Sequence, residues 1–228
     1  MFTITSVCHG KDSADKEINI LVVTGGHKFD QTSFFDIFSS FDNIRFDTAS
    51  QPRANAMYDD PVMEQYDALV FYDMWEEIQP DEKSAFLKLL SQGKGMIFLH
   101  HSLVSYQEWD EFSKIIGGKY VKGTETEAER SGYKHDITLD IEVIDDTHPV
   151  TYGMSDFSIY DEGYYNIHTE SDIQPLLATD HEKCTEYVAW TNEYASSGIV
   201  YILLGHGPEA HKDPNYRQLI ENAIQWVK

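Results

Sequence analysis

Three separate apolar runs in this sequence end in histidine. Residues 18–24 run into Gly25-Gly26-His27, residues 95–99 into His100-His101-Ser102, and residues 199–204 into Gly205-His206-Gly207. A fourth run, residues 68–72, delivers Asp73-Met74-Trp75. An imidazole titrates near neutral pH or ligates a metal, and flanking glycines let a ligand approach the backbone. Each histidine alone has an ordinary structural reading; their recurrence at strand ends points to a small-molecule site. His100, with Glu162 in support, is the first candidate for moving a proton, and His101 is its competitor. Adjacent residues at a strand end point to opposite sides, so only one of the pair is expected to face a ligand.

A second group lies at Asp161-Glu162-Gly163-Tyr164-Tyr165, where two carboxylates sit beside two aromatic rings. That mixture suits sugar hydroxyls and a sugar ring face, and it equally describes an acidic turn before a strand. His135 precedes an alternating segment and follows a run, 124–132, with a loop-like composition. If a metal binds, imidazoles favour a borderline, zinc-like divalent ion over calcium. The candidate ligands are His100, His135 and His206 with Glu162 nearby, and a metal-free set of hydrogen-bonded histidines is the competing arrangement.

Several chemistries are excluded. Ser102 is not in a G-x-S-x-G elbow, no cysteine follows a strand run, and neither G-x-G-x-x-G nor a Walker A sequence occurs. His148-Pro149 reads as a turn, and Trp190 as core.

The elements that must hold these residues alternate at first. Runs 18–24, 68–72 and 95–99 are buried strands, with a shorter one at 44–48. Helices are expected over 32–41, with Phe34, Phe35, Ile37, Phe38 and Phe41 on one face, from Pro80 to about Gly93, and over 107–116. Strand–helix alternation means parallel strands, and ligands then sit beyond their carboxyl ends. After residue 119 the pattern changes. Residues 137–143 alternate apolar and polar, the mark of a half-buried antiparallel strand, and 186–190 and 199–204 are late strands. The last helix is capped by Asp213 with Pro214 at its first position. The expectation is a flexible tail, 1–17, and one α/β domain, 18–228, with an antiparallel elaboration near 119–195.

Composition narrows the partners. Against 17 basic residues stand 39 acidic ones, a net charge of −22. Nucleic-acid affinity rests on basic side chains, so such a surface repels phosphate backbones, and it repels anionic membranes as well. With 14 Tyr, 12 Phe and 4 Trp, the chain has the aromatic content of a folded protein. No apolar run reaches the length of a membrane span. Cys8 and Cys184 are too few for a disulfide framework. Cys8, after a short apolar stretch and before a polar spacer, fits the remnant of a lipoprotein leader. Ser6-Val7 makes a poor processing site, so cytoplasm and periplasm both stay open, as does a homo-oligomer.

The chain resembles the ThuA-like (trehalose utilisation) family. The resemblance is carried by LVVTGGHKFD (21–30), YDALVFYDMW (66–75), GKGMIFLHHSLVSYQEWDEFSKIIGGKY (93–120), SGYKHDITLDIEV (131–143), THPVTYGMSDFSIYDEGYY (147–165), EYVAWTNEYASSGIVYILLGHG (186–207) and NAIQWV (222–227). It implies a flavodoxin-like layered α/β sheet related to class I glutamine amidotransferases, with His100 near the place of their catalytic cysteine. Without that cysteine, amidotransferase chemistry is not expected. The family is linked to disaccharide metabolism beside sugar dehydrogenases that make 3-keto sugars. One departure stands out: relatives carry His-Trp or Arg-Tyr where this chain has Thr191-Asn192-Glu193-Tyr194, which puts a basic group at that loop in doubt.

Two functional expectations follow. One is an enzyme, a lyase, hydrolase or isomerase, acting on a keto-sugar or glycoside through His/Glu acid–base chemistry. The other is a non-catalytic sugar-binding or accessory module; a scaffold using the fold for interaction is a third. For a carbohydrate, Trp75, Tyr106, Tyr164 and Tyr165 are expected to line the cleft mouth, with His27, Asp73, His135, Asp161 and His206 as further ligand-binding candidates.

Overall fold

The computed structural model describes residues 17–123, 126 and 129–228. Residues 1–16, including Cys8, and part of the run 124–132 lie outside the described residues. The first half is built as the alternation requires: β1 (Ile18–Gly25), α1 (Gln31–Ser39), β2 (Ile44–Ser50), α2 (Arg53–Met57), β3 (Ala68–Asp73), α3 (Pro80–Ser91), β4 (Gly95–Leu99) and α4 (Asp110–Ile116). β3 and β4 are buried along their whole length, as strands covered by helices on both faces must be. Asp30 caps α1 by accepting from Ser33 N at 2.8 Å. Phe34, Ile37, Phe38 and Phe41 are buried, whereas Phe35 is only partly so.

The second half holds the short pair β5 (Gly118–Lys119) and β8 (His168–Thr169), then β6 (Gly132–Val143), β7 (Phe157–Tyr165), β9 (Gln174–Ala178), β10 (Tyr187–Tyr194) and β11 (Ser197–Ile202). Two helices close the chain, α5 (Pro208–Lys212) and α6 (Pro214–Val227). Asp213 caps α6 through Asn215 N and Tyr216 N, at 2.8 and 3.2 Å. Among the described residues no helix is long and apolar enough to cross a membrane.

Nine strands form one sheet in the order β2-β1-β3-β4-β11-β10-β9-β6-β7. Pairings from β2 through β11 are parallel. From β11 outward they are antiparallel. The elaboration therefore extends the same sheet. β6 pairs with β9 only at Glu142 and Val143, while its remaining length pairs with β7 as a two-stranded ribbon. The ribbon returns to the carboxyl ends of the parallel strands, where Asp161 of β7 bonds the backbone of Gly205 and His206 beyond β11.

Three elements differ from the sequence expectation. Residues 107–109 form a turn, not helix, because Tyr106 takes a left-handed φ of +48° and Trp109 N bonds back to Tyr106 O at 2.8 Å. β6 begins at Gly132 rather than 137, a register shift between Lys134 and Ile137 having broken its alternation. The acidic pair 161–162 lies inside β7, not in a turn before a strand. Trp190 is buried as expected, its indole N–H donating to Ile116 O at 2.8 Å.

One glycine is required where the sheet hands over to the site. Gly205 has φ +110°, and a Cβ there would stand 2.0 Å from the Tyr216 hydroxyl. Gly205→Ala is expected to destabilise the chain by at least about 1–3 kcal/mol from backbone strain alone, with the clash in addition. Urea denaturation checks this, and an unchanged midpoint would refute the requirement.

Candidate functional site

The left-handed φ of His100, +48°, ends β4 abruptly and starts a 3-10 turn over His100–Val104. A non-glycine residue held in that region is strained, and such strain collects at functional sites. The turn has a further effect. With strand geometry ended, His100 and His101 both line one cleft of about 360 Å³. The expectation that only one of them faces the ligand site is corrected by this change of backbone.

His27, beyond β1, and His206, beyond β11, line the same cleft. His27 stands at its exposed rim, with ring centroids 4.8 Å from His101 and 6.4 Å from His206. The ribbon supplies the opposite wall, with His135 and Tyr133 from β6 and Glu162 and Tyr164 from β7. Glu162 and Tyr164 share a face because strand residues two apart do. The bulge at 134–137 turns His135 toward Glu162, and His135 Nδ1 rests against Glu162 Oε2.

Glu162 is the centre of this arrangement. Its carboxylate is 3% exposed, with His100 Nε2 at 3.5 Å and His206 Nδ1 at 3.4 Å. Burial pushes its acidity toward the neutral form, but the contacts with His100, His206 and His135 outweigh this and hold its pKa below the usual range. His100 Nε2 also lies 3.1 Å from His206 Nδ1 and 3.1 Å from the Tyr164 hydroxyl. Burial, then the neighbouring His100, pushes His206 down to about 4. His101 is 2% exposed and packs 4.3 Å from the Tyr72 ring, with neither ring nitrogen hydrogen-bonded. Burial and its histidine neighbours keep it well below the ordinary imidazole range.

Asp161, one residue from Glu162, points the other way and does a different job. Its carboxylate accepts from Gly205 N at 2.7 Å and His206 N at 2.9 Å. Gly205 O in turn receives the Tyr72 hydroxyl at 2.8 Å and His211 Nε2–H at 3.0 Å. His211 Nδ1 accepts from Ser33 Oγ at 2.8 Å, so its tautomer is set from both sides. Asp161 and His211 thus hold the loop that presents His206.

Other sequence candidates are not brought to the cleft. Asp73 is 1% exposed and bonded to Gln51 Nε2 at 3.0 Å, and burial pushes its carboxyl up to about 7. Tyr106 is 1% exposed and joins the same buried network through Asn55 Oδ1 at 2.6 Å. Trp75 is partly buried against the core, its backbone tied to Ser105 Oγ and Tyr106 N. Tyr165 faces away from Tyr164 and covers Gly132. For these aromatics the expectation of a cleft lining is corrected: Tyr120, Tyr133 and Tyr164 make that wall. Sequence reasoning missed Tyr120, Tyr133, Met74, Val104 and Lys122. Tyr133 had a signal, lying two residues before His135 at strand spacing.

Cys184 packs beside Gly163, and burial pushes its thiol up to about 12, so it supplies no nucleophile. The Thr191–Tyr194 departure lies at the opposite end of the sheet, where Tyr194 pairs with Ser197 at the start of β11. Asn192 there donates to Lys114 O and Ile115 O at the end of α4. The departure is structural and does not touch the cleft. The donors His100 Nε2, Glu162 and His206 Nδ1 all lie within 4.8 Å of one another, close enough to hold a metal ion. Glu162 takes the place in this set that sequence reasoning gave to His135.

A family model described as ThuA, trehalose utilisation, matches residues 19–227. Solved structures with the same fold include a ThuA-like protein of Parabacteroides merdae, 16% identical with a TM-score of 0.79, covering 93% of this chain and 90% of that one. A ThuA-like protein of Bacteroides uniformis is 18% identical with a TM-score of 0.70, covering 95% and 94%. A Thermoplasma acidophilum protein described as part of a GMP synthase shares the fold at 12% identity and a TM-score of 0.56, over 92% and 93%. No curated protein sequence matches the chain.

Burial pushes His211 down to about 4 from an ordinary 6.5. Below pH 6.5 the unfolded chain takes up a proton that the folded ring refuses. This contribution to stability is therefore complete above about 6.5 and lost progressively as pH falls toward 4. His211→Asn should cost about 1–3 kcal/mol at neutral pH, from buried groups left unpaired. It should also flatten the fall in urea midpoint over that window. Parallel profiles for the two proteins would show that His211 is not the group responsible.

Proposed function

The chain belongs to the ThuA, trehalose-utilisation family, and on that premise we propose that it is an enzyme acting on a sugar or glycoside that carries a keto group. Membership ties the chain to carbohydrate utilisation. The observation that carries the finer reading is the buried Glu162 carboxylate ringed by His100, His135 and His206 beneath an open, tyrosine-walled cleft. Sugar C–H faces stack on rings such as Tyr133 and Tyr120, while neutral imidazoles and tyrosine hydroxyls suit their polar edges.

A keto group acidifies the neighbouring C–H. Elimination or isomerisation then needs one base and one electrophile at the carbonyl oxygen. His100 is fully buried, with its Nδ1–H on Leu203 O at 2.6 Å and its Nε2 turned to Glu162. His135 combines contact with Glu162 and access to solvent, its side chain being 48% exposed, and it also borders a second hollow beside Asp136, Tyr160 and Glu209. In this reading His135 takes the proton, Glu162 orients it, and His100 with His206 forms the floor at which the keto oxygen arrives. A general base contributes typically ~10²–10⁴-fold.

Incubation with a 3-keto disaccharide should yield a rearranged or cleaved product. His135→Asn and Glu162→Gln should each lower turnover at least ~10²-fold, the low end for a general base. His100→Asn should do so as well, by disturbing the floor. Tyrosine fluorescence titrated with mono- and disaccharides runs alongside. A fluorescence change without product would favour the non-catalytic sugar-binding module, and no change with any sugar would refute the carbohydrate reading.

A further inference from the structure

The floor of the cleft brings three donor groups together, from His100, Glu162 and His206. Leu203 O only accepts, so the His100 nitrogen 2.6 Å from it, Nδ1, carries the hydrogen of the neutral ring. His100 Nε2 then offers an electron pair, and it faces His206 Nδ1 and the Tyr164 hydroxyl, each 3.1 Å away, and Glu162 Oε1, 3.5 Å away. Glu162 is 3% exposed, and its Oε2 rests against His135 Nδ1 at the rim. His206 Nδ1 lies 3.4 Å from that same Oε2. Two ring nitrogens and a carboxylate thus converge on one point of the cleft floor. A buried carboxylate beside two imidazole nitrogens is a donor set suited to a cation.

Spacing indicates which kind. Ligands held tetrahedrally at the ~2.0–2.1 Å of a zinc–nitrogen or zinc–carboxylate bond stand about 3.3–3.4 Å from one another. Here the two nitrogens are 3.1 Å apart, and the Glu162 carboxylate comes within 3.5 Å of His100 Nε2 through Oε1 and within 3.4 Å of His206 Nδ1 through Oε2. The surroundings also match what a ligating imidazole needs, a backbone carbonyl on its other nitrogen to fix tautomer and ring plane. Leu203 O does this for His100, whereas His206 is held through its backbone N–H, which donates to Asp161.

We propose that His100 Nε2, His206 Nδ1 and Glu162 bind one divalent first-row transition-metal ion of zinc type, with a position left open toward the cleft. Two imidazoles and a carboxylate suit such an ion, and they are a poor set for calcium, which takes six to eight oxygens. His135, against Oε2 from the rim, stays outside the set. Resting on the sugar reading above, the ion is the electrophile for the keto oxygen and His135 the base beside it.

The test uses the full chain, stripped with a chelator and titrated separately with Zn²⁺, Co²⁺ and Mn²⁺. Metal content is read by elemental analysis, cobalt by its visible absorption, and stability by thermal melting. One equivalent should bind saturably, raise the melting temperature and be removed again by chelator. His100→Asn and His206→Asn, checked for fold by circular dichroism, should abolish stoichiometric uptake, whereas His135→Asn should keep the metal. Should a variant fail to fold, the cobalt titration of the unmodified chain decides alone. No saturable uptake by that chain, or equal uptake by folded His100→Asn and His206→Asn, overturns the metal site. Sugar fluorescence and product formation are followed on the same stripped and loaded samples. Full turnover in stripped protein that takes up no metal would overturn the ion and keep the sugar reading. Stoichiometric metal with no sugar response would do the reverse.

Discussion

An ionised carboxylate has been taken out of water at Glu162, and the organisation of the cleft follows from what that requires. Desolvating such a group costs several kcal/mol unless charge or hydrogen bonds compensate. Here the compensation comes from His100, His135 and His206, from three different segments. Each must be delivered to within a few ångströms, so the end of β4, the bulge of β6 and the loop after β11 are mutually constrained. The left-handed backbone at His100 and the glycine at 205 are local departures from easy geometry that this convergence demands.

The two halves of the sheet divide the work. Parallel strands with helices on both faces offer a fixed carboxyl edge, and histidines placed just beyond them share one cleft for topological reasons. Among the described residues that edge brings no acid of its own to the cleft, because Asp73 is consumed by a buried network with Gln51 and Ser105. The carboxylates come from the antiparallel half. By leaving the sheet after two residues of pairing with β9, β6 carries β7 back over the edge as a ribbon. Asp161 and Glu162 are neighbours in sequence, yet alternation along β7 sends one to clamp the Gly205–His206 backbone and the other into the cleft.

The electrostatics run in one direction. Burial depresses the basicity of His101 and His206, so these rings present lone pairs and N–H groups rather than positive charge. In a chain of net charge −22 the cleft is thereby a place for neutral polar groups and for cations, and anionic ligands find little to hold them. Lys122, the lysine on the lining, is already paired with Glu76.

Much of this was written in the sequence, and for identifiable reasons. Apolar runs long enough to be strands buried on both faces, punctuated by glycine, determine a parallel sheet, and the residue following each run must then lie at its carboxyl edge. His27, His100, His101 and His206 were legible on that basis, as were the Asp213 cap and the core position of Trp190. Alternation in β7 was not legible, since 161–164 are buried on both faces and a strand with no exposed side shows no period of two. The bulge at 134–137 hid the strand that carries His135 in the same way. Aromatic residues near strand ends could be core or wall, and only packing separated Tyr106 and Trp75 from Tyr120 and Tyr133. Sequence alone determined which residues stand at the edge, because strand direction is a local property. Which of them meet around Glu162 was decided by the tertiary structure, because the return of the β6–β7 ribbon depends on contacts between segments far apart along the chain.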